Sequence, residues 1–178
     1  KVCTKYDMPL FIDGARLGYA LTATGNDVTL EDIARIADVF YIGGTKVGAM
    51  FGEAVVFTHG NMPKNFVTLV KQHGALLAKG WLLGVQFDTL FTDDLYCRIA
   101  RHANDAADRI REVLVERGYT LTFDAPTNQI FITLDNATSE RLQRNVRLGF
   151  MEKADDTHTV MRICTSWATT DEQVEQLI

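Results

Sequence analysis

Pro9-Leu-Phe-Ile-Asp-Gly-Ala-Arg16 and Val39-Phe-Tyr-Ile-Gly-Gly-Thr-Lys46 use one device twice: a short apolar run that stops abruptly in glycine and polar residues. Runs this short and this apolar read as strands buried on both faces. Open α/β sheets place ligands at the C-terminal ends of such strands. Asp13 and Lys46 each sit at one of those ends and each is bordered by glycine, so the two side chains can converge on a single ligand. Plainer readings stand beside this one. Asp13-Gly14 is a common turn pair, Lys46 reads equally as a solvated surface lysine, and Gly43-Gly44 as an ordinary loop. A phosphate-binding motif of the Walker type is absent.

Between the two runs, Thr29-Leu-Glu-Asp32 has the hydroxyl and the acid of a capping box, with Leu30, Ile33, Ala34 and Ala37 as one apolar stripe behind it. The spacing predicts a helix over Leu30–Ala37. Glu53–Phe57 is a third strand, so this part alternates as an α/β layer. From Pro63, the apolar residues Phe66, Leu69, Val70, Leu76, Leu77, Leu83 and Phe87 recur at helical intervals. Gly74, Gly80 and Gly84 argue for two helices with a break near Gly80. Asp93 and Asp94 are placed to cap a long helix whose Leu95, Ile99, Ala103, Ala106, Ile110, Val113 and Leu114 share a face and which Gly118 terminates. Strands are expected over Gln129–Leu134, Val146–Met151 and Thr159–Thr165, with a helix after Thr138 and a last one capped by Thr170 and Gln173. This succession suits a small α+β domain with an antiparallel sheet. In the expected division, residues 1–92 form one domain and 93–178 the other, the long helix joining them. Within Thr159–Thr165, Val160, Arg162 and Cys164 share one face and Met161 and Ile163 the other. On that pattern alone Arg162 is equally an edge-strand arginine facing water.

The 178 residues are 47% hydrophobic and 23% charged, an ordinary globular composition. With 18 Lys and Arg against 23 Asp and Glu the net charge is −5, which argues against a general nucleic-acid surface or a polybasic membrane patch. No apolar stretch approaches the roughly 20 residues that span a bilayer. Cys3, Cys97 and Cys164 are odd in number and lack CxxC spacing, which fits a reducing, cytoplasmic setting. His59, His73, His102 and His158 show no metal-ligand spacing, and no metal is expected. The chain opens on Lys1 without a Met and reaches a strand within about ten residues, so it reads as part of something longer.

Phe11-Ile-Asp-Gly-Ala-Arg16 with Ile42-Gly-Gly-Thr-Lys46 resembles the cofactor-binding core of the L-threonine aldolases, in the aldolase and β-eliminating-lyase branch of the fold type I pyridoxal-phosphate enzymes. The resemblance continues in order through Lys71-Gln72, Gln86-Phe87, His102-Ala-Asn104, Pro126-Thr-Asn-Gln-Ile130 and Arg162-Ile-Cys-Thr-Ser-Trp-Ala-Thr-Thr170. It implies an α/β fold made of the C-terminal part of the large cofactor-binding domain and a small α+β domain. It also implies pyridoxal 5'-phosphate as cofactor and retro-aldol cleavage of threonine or allo-threonine to glycine and an aldehyde.

The resemblance gives Lys46 the role of covalent anchor for the cofactor carbonyl, a task that needs a lysine able to lose its proton. Asp13 pairs with the pyridine nitrogen and sustains the ring as an electron sink. Arg162 holds the substrate α-carboxylate with its planar fork of donors, and Arg16 adds a second contact there or to the cofactor. Lys71 and Lys79 are implied near the cofactor phosphate, although lysines on amphipathic helices are usually just solvated. The aromatic imidazole stacked on the ring and most of the phosphate-binding loop belong, in the family, to a segment preceding Lys1. A homodimer or homotetramer follows from the resemblance. Another fold type I reaction, β-elimination or transamination, uses Asp13 and Lys46 equally. A noncatalytic α/β interaction domain is the alternative of a different class.

Overall fold

The computed structural model describes residues 1–178, which divide into two compact units: Lys1–Leu21 with Asn26–Arg98, and Thr22–Gly25 with Ile99–Ile178. The first opens with a single helical turn, α1 (Val2–Lys5), and then the strand β1 (Phe11–Ile12) and the helix α2 (Leu17–Leu21). Neither helix has a periodic stretch long enough to be read from sequence. The helix α3 (Leu30–Ile36) is the one the capping box predicts. Thr29 Oγ1 accepts from the Asp32 N–H at 3.2 Å and Asp32 Oδ2 accepts from the Thr29 N–H at 3.0 Å. Its Ile33 is buried, and the chain leaves the helix at an extended Ala37.

Strands β2 (Val39–Gly43) and β3 (Glu53–Phe57) complete a three-stranded sheet in the order β1-β2-β3. β1 runs parallel to β2, with Phe11 opposite Val39 and Ile12 opposite Phe40. β3 runs antiparallel to β2, so that Gly43 pairs with Glu53. The parallel pairing brings the C-terminal ends of β1 and β2, and with them Asp13 and the 43–46 loop, to one edge of the sheet.

The helices α4 (Phe66–Gln72) and α5 (Trp81–Phe91) follow. The interruption is wider than a break at Gly80, because the chain leaves α4 through His73 into Gly74 at φ +71°. The rings of Phe87, Phe91 and Tyr96 stack in series, with centroids 6.3 and 5.5 Å apart. Asp93 and Asp94 lie at φ 51° and 55°, in the left-handed region, inside a 3-10 turn over Thr92–Asp94. They make the corner before the long helix α6 (Leu95–Glu116) rather than capping it, using the tolerance of Asp for this backbone conformation. α6 ends as the sequence predicts. Gly118 takes φ +81° and the Tyr119 N–H bonds back to Leu114 O at 2.9 Å, the geometry that satisfies orphaned helix carbonyls.

The second unit holds β4 (Gln129–Asp135), α7 (Asn136–Leu142), β5 (Gly149–Lys153), β6 (His158–Cys164) and α8 (Asp171–Leu177). Its sheet is antiparallel throughout, in the order β4-β6-β5. Alternation puts Ile130, Ile132 and Leu134 of β4 on one face with Met161 and Ile163 of β6. They pack against Ala106, Ala107 and Ile110 of α6 and Val174 of α8. Two expectations shift. α7 starts at Asn136, capped by Asp135 through the Thr138 N–H at 2.9 Å. β5 starts at Gly149 rather than Val146, because the Val146 N–H still bonds back to Leu142 O at 3.0 Å. α8 carries the predicted capping box between Thr170 and Gln173. No helix is long and apolar enough to cross a membrane.

Candidate active site

One step beyond the pairing of Ile12 with Phe40, Asp13 comes beside Tyr41. The Tyr41 hydroxyl donates to Asp13 Oδ1, and the Ala15 N–H donates to the same oxygen at 3.0 Å. Asp13 Oδ2 has no partner in the protein. The Ala15 contact is the local turn expected of an Asp-Gly pair. The Tyr41 hydrogen bond holds the Asp13 carboxyl below its ordinary value. The Ala15 N–H and the Lys46 charge act in the same sense, against a desolvation that acts in the other. The same hydrogen bond pushes the Tyr41 phenol up to about 12. An exposed carboxylate is thus kept ionised, one oxygen committed and one open, within reach of a lysine's charge.

The loop carrying Lys46 is clamped through its backbone. The Gly43 N–H donates to Gly14 O at 2.9 Å, tying the two strand ends together. A methyl group on Gly14 would overlap Tyr41 O, and one on Gly43 would overlap Ala15 O. These glycines are therefore required by the approach of the protein's own backbone, whatever ligand lies beyond. Glu53, opposite Gly43 in β3, accepts from the Gly44 N–H at 2.5 Å and from the Thr45 hydroxyl at 2.8 Å. Buried Tyr19 donates its hydroxyl to Lys46 O. Tyr96 donates to Gly43 O at 2.8 Å and accepts from the Gly18 N–H at 3.1 Å. Its burial pushes the phenol upward, so it serves as a neutral bridge. With its main chain fixed on three sides, Lys46 extends an exposed side chain.

Tyr19, Tyr41, Glu53 and Tyr96 were not among the residues singled out from sequence. Tyr41 and Glu53 had a signal, since each faces a chosen residue once the three strands are paired in register. Tyr19 and Tyr96 had none, because tertiary packing alone brings their hydroxyls to this loop.

Arg16 lies half-buried just ahead of α2 in the same unit, its Nε buried and without a partner. Lys71, in the last turn of α4, and Lys79, just before α5, are exposed. No hydrogen bond or ion pair ties either to Asp13, Tyr41 or Lys46. Arg162 belongs to the second unit, on β6 opposite Phe131 and Gly149. β6 is the central strand of its sheet, which removes the edge-strand reading. Arg162 Nη1 donates to Gln129 Oε1 at 3.1 Å, while Nε is buried and unpaired. A Cβ at Gly149 would meet Nε at 3.5 Å, an ordinary van der Waals contact, so the Arg162 side chain does not require glycine there. Two guanidinium groups, one in each unit, thus keep an unused donor.

The fold is that of the fold type I pyridoxal-phosphate enzymes. Serine palmitoyltransferase of Sphingomonas wittichii superposes with a TM-score of 0.67 at 18% identity, over 99% of this chain and 47% of that one. Within that class the beta-eliminating lyase profile matches residues 1–138, and the chain belongs to this family. The structure is similar to the threonine aldolase of Leishmania major, with a TM-score of 0.94 and 41% identity over 98% of this chain and 51% of that one. The sequence is 29% identical over 176 residues to a low specificity L-threonine aldolase of Pseudomonas aeruginosa, covering 98% of this chain and 50% of the relative. The chain spans about half the length of the curated relatives it matches.

Proposed function

We propose that this chain carries part of the active site of a pyridoxal-phosphate-dependent lyase that cleaves threonine or allo-threonine, by retro-aldol reaction, to glycine and an aldehyde. The observation that carries the reading is the half-engaged Asp13 carboxylate, within range of the Lys46 charge, at the edge where β1 and β2 end. These residues suit the cofactor: Asp13 Oδ2 is open to a protonated ring nitrogen, Lys46 is a primary amine on a fixed backbone, and Arg16 offers an unpaired donor to an anion. Lys71 and Lys79 are assigned to the cofactor phosphate on the family resemblance. When bound, pyridoxal 5'-phosphate supplies the electron sink that stabilises the pair released at the substrate Cα.

Asp13 would favour a protonated ring nitrogen through its charge, at an oxygen left without a partner. Lys46 would hold the cofactor through its carbonyl, the task of a primary amine able to lose its proton. Arg162 and Arg16 would bind the substrate carboxylate through their guanidinium donors and so orient the substrate for cleavage at Cα. Residues 1–92 are assigned to the large domain and 93–178 to the small one. A homodimer or homotetramer is part of the same reading, supported by the apolar side chains that the first unit exposes, among them Met50, Val67, Leu76, Trp81 and Val85. Cytoplasmic location is supported by the three unpaired cysteines.

The test uses the full-length protein with added cofactor. Borohydride should fix a pyridoxyl group on Lys46, located by peptide mass mapping, and Lys46→Ala should abolish both the label and turnover. Asp13→Ala should lower turnover by about 10²-fold or more, the scale of a lost charge-stabilising group. Threonine should give glycine and acetaldehyde; a keto acid, or ammonia with a keto acid, would instead mean transamination or β-elimination. Absence of any label from Lys46 sinks the enzyme reading.

A further inference from the structure

We propose that Tyr41 is a positioning residue for Asp13: from the adjacent parallel strand its hydroxyl takes one carboxylate oxygen and so presents the other to the ring nitrogen of the cofactor. The proposal rests on the Asp13 role given above. An exposed aspartate ordinarily samples several rotamers. Here Oδ1 receives two donors from different directions, the Tyr41 hydroxyl and the Ala15 N–H. Only Oδ2 is left to face outward. Tyr41 is itself held: it sits in the middle of β2, paired with Val55 of β3, and its ring lies 6.2 Å from that of Phe11 on β1. Its proton is retained to about pH 12, so it remains a donor throughout the working range.

The charged and titratable groups that bear on this pair are Lys46, from the loop after β2, which favours the ionised Asp13, and Glu53, from β3, which acts on Tyr41. Without the hydroxyl, Oδ1 keeps a single donor and the Asp13 carboxyl returns toward its ordinary value. A group whose folded pKa has been lowered loses its charge only as the pH falls through that lowered value. Removing the cause therefore moves the loss to higher pH, and cofactor binding should fail earlier on acidification.

The experiment measures pyridoxal 5'-phosphate affinity of the full-length protein by absorbance titration from about pH 8 down to about pH 3, through the ordinary carboxylate range. Tyr41→Phe is expected to weaken binding at neutral pH roughly tenfold or somewhat more, near the low end for a hydrogen bond to a charged group. It should also displace the acid limb of affinity to higher pH. Val39→Ala, on the same strand and face, is the control for a loosened β2; it should lower thermal stability and leave the acid limb in place. If Tyr41→Phe leaves affinity and acid limb unchanged while Asp13→Asn loses affinity, the Tyr41 role is overturned and the Asp13 role stands. If Asp13→Asn binds as tightly as the native protein, both fall. A Val39→Ala limb displaced as far as that of Tyr41→Phe also overturns the positioning role.

Discussion

The two units solve the burial problem in opposite ways. The second closes a core of its own, in which β4, β6, α6 and α8 supply side chains almost wholly withdrawn from solvent, such as Ile130, Ile132, Met161 and Val174. The first leaves much apolar surface open: 18 of the 23 large exposed apolar side chains lie in it. Its order comes instead from main-chain approaches and from hydroxyls and carboxylates that bond to the backbone around residues 43–46. A site at strand ends needs polar groups held in place but not buried. Backbone clamping does this, whereas side-chain packing would cover them. The first unit should therefore be sensitive to main-chain clearance and the second to side-chain volume.

Gly14→Ala is the sharpest way to break that contrast. The new methyl would overlap Tyr41 O, which is backbone and has no rotamer to change, so β1 must part from the 41–43 segment. Overpacking a well-fitted site costs about 1–3 kcal/mol, and a backbone collision belongs at or above the top of that range. Amide exchange in the full-length protein should speed up across β1 and β2 and stay unchanged in β4 and β6. Equal acceleration in both units would mean they do not differ as argued. Ile132→Ala is the counterpart. Ile132 is 1% exposed in the middle of β4, and its removal should cost about 2–5 kcal/mol by transfer and cavity terms. Protection should then be lost in β4, β6 and α8, with pyridoxal 5'-phosphate affinity retained.

How far the sequence could be read follows the same division. Period and punctuation are local, so α3, β2, β3, the end of α6 and the α8 cap were legible from Thr29, Gly43, Glu53, Gly118 and Thr170. α2 escaped because five residues carry too little periodicity. β5 was shifted because Val146 continues the last turn of α7 through a bond that apolar pattern cannot show. In the site, Asp13, Lys46 and Arg162 were chosen by position in strands and by resemblance, and the structure sets Asp13 under the influence of Lys46. The clamps were invisible for a physical reason. No local pattern marks Tyr19 or Tyr96, and only tertiary contact brings their hydroxyls to Lys46 O and Gly43 O. Gly43 reads in sequence as an ordinary loop residue, yet its missing side chain is what admits Ala15 O.

Gln129 brings a backbone-sparing test to the second unit. Its amide oxygen accepts from Arg162 Nη1 at 3.1 Å and so steadies a guanidinium whose task is proposed to be the substrate carboxylate. Gln129→Ala should raise KM for threonine roughly three- to tenfold, the effect of about one hydrogen bond, with kcat within about twofold. Steady-state kinetics on the full-length enzyme reads the split directly. A fall in kcat with KM unchanged would mean that Gln129 does not act through carboxylate binding.

The smallest effects allow the closest comparison, because each unit carries one capping box built on threonine. Thr29 pairs with Asp32 at the start of α3, and Thr170 with Gln173 at the start of α8. Replacing either threonine by alanine should cost about 1 kcal/mol, the usual worth of an N-cap. The boxes differ in one respect: Asp32 can take up a proton and Gln173 cannot. The Thr29 N–H and hydroxyl, with Arg35 beside them, hold the Asp32 carboxyl below its ordinary value of 3.8. A lowered folded pKa gives stability that is complete above the unfolded value and lost as the pH falls through the folded one. Acidification should therefore weaken the α3 box and leave the α8 box intact. In amide exchange followed from neutral pH to about pH 3, through the carboxylate range, the difference between native protein and Thr29→Ala in α3 should shrink. The difference between native protein and Thr170→Ala in α8 should persist. If both shrink together, the loss is a general effect of charge on the fold, and the capping carboxylate of Asp32 is not its source.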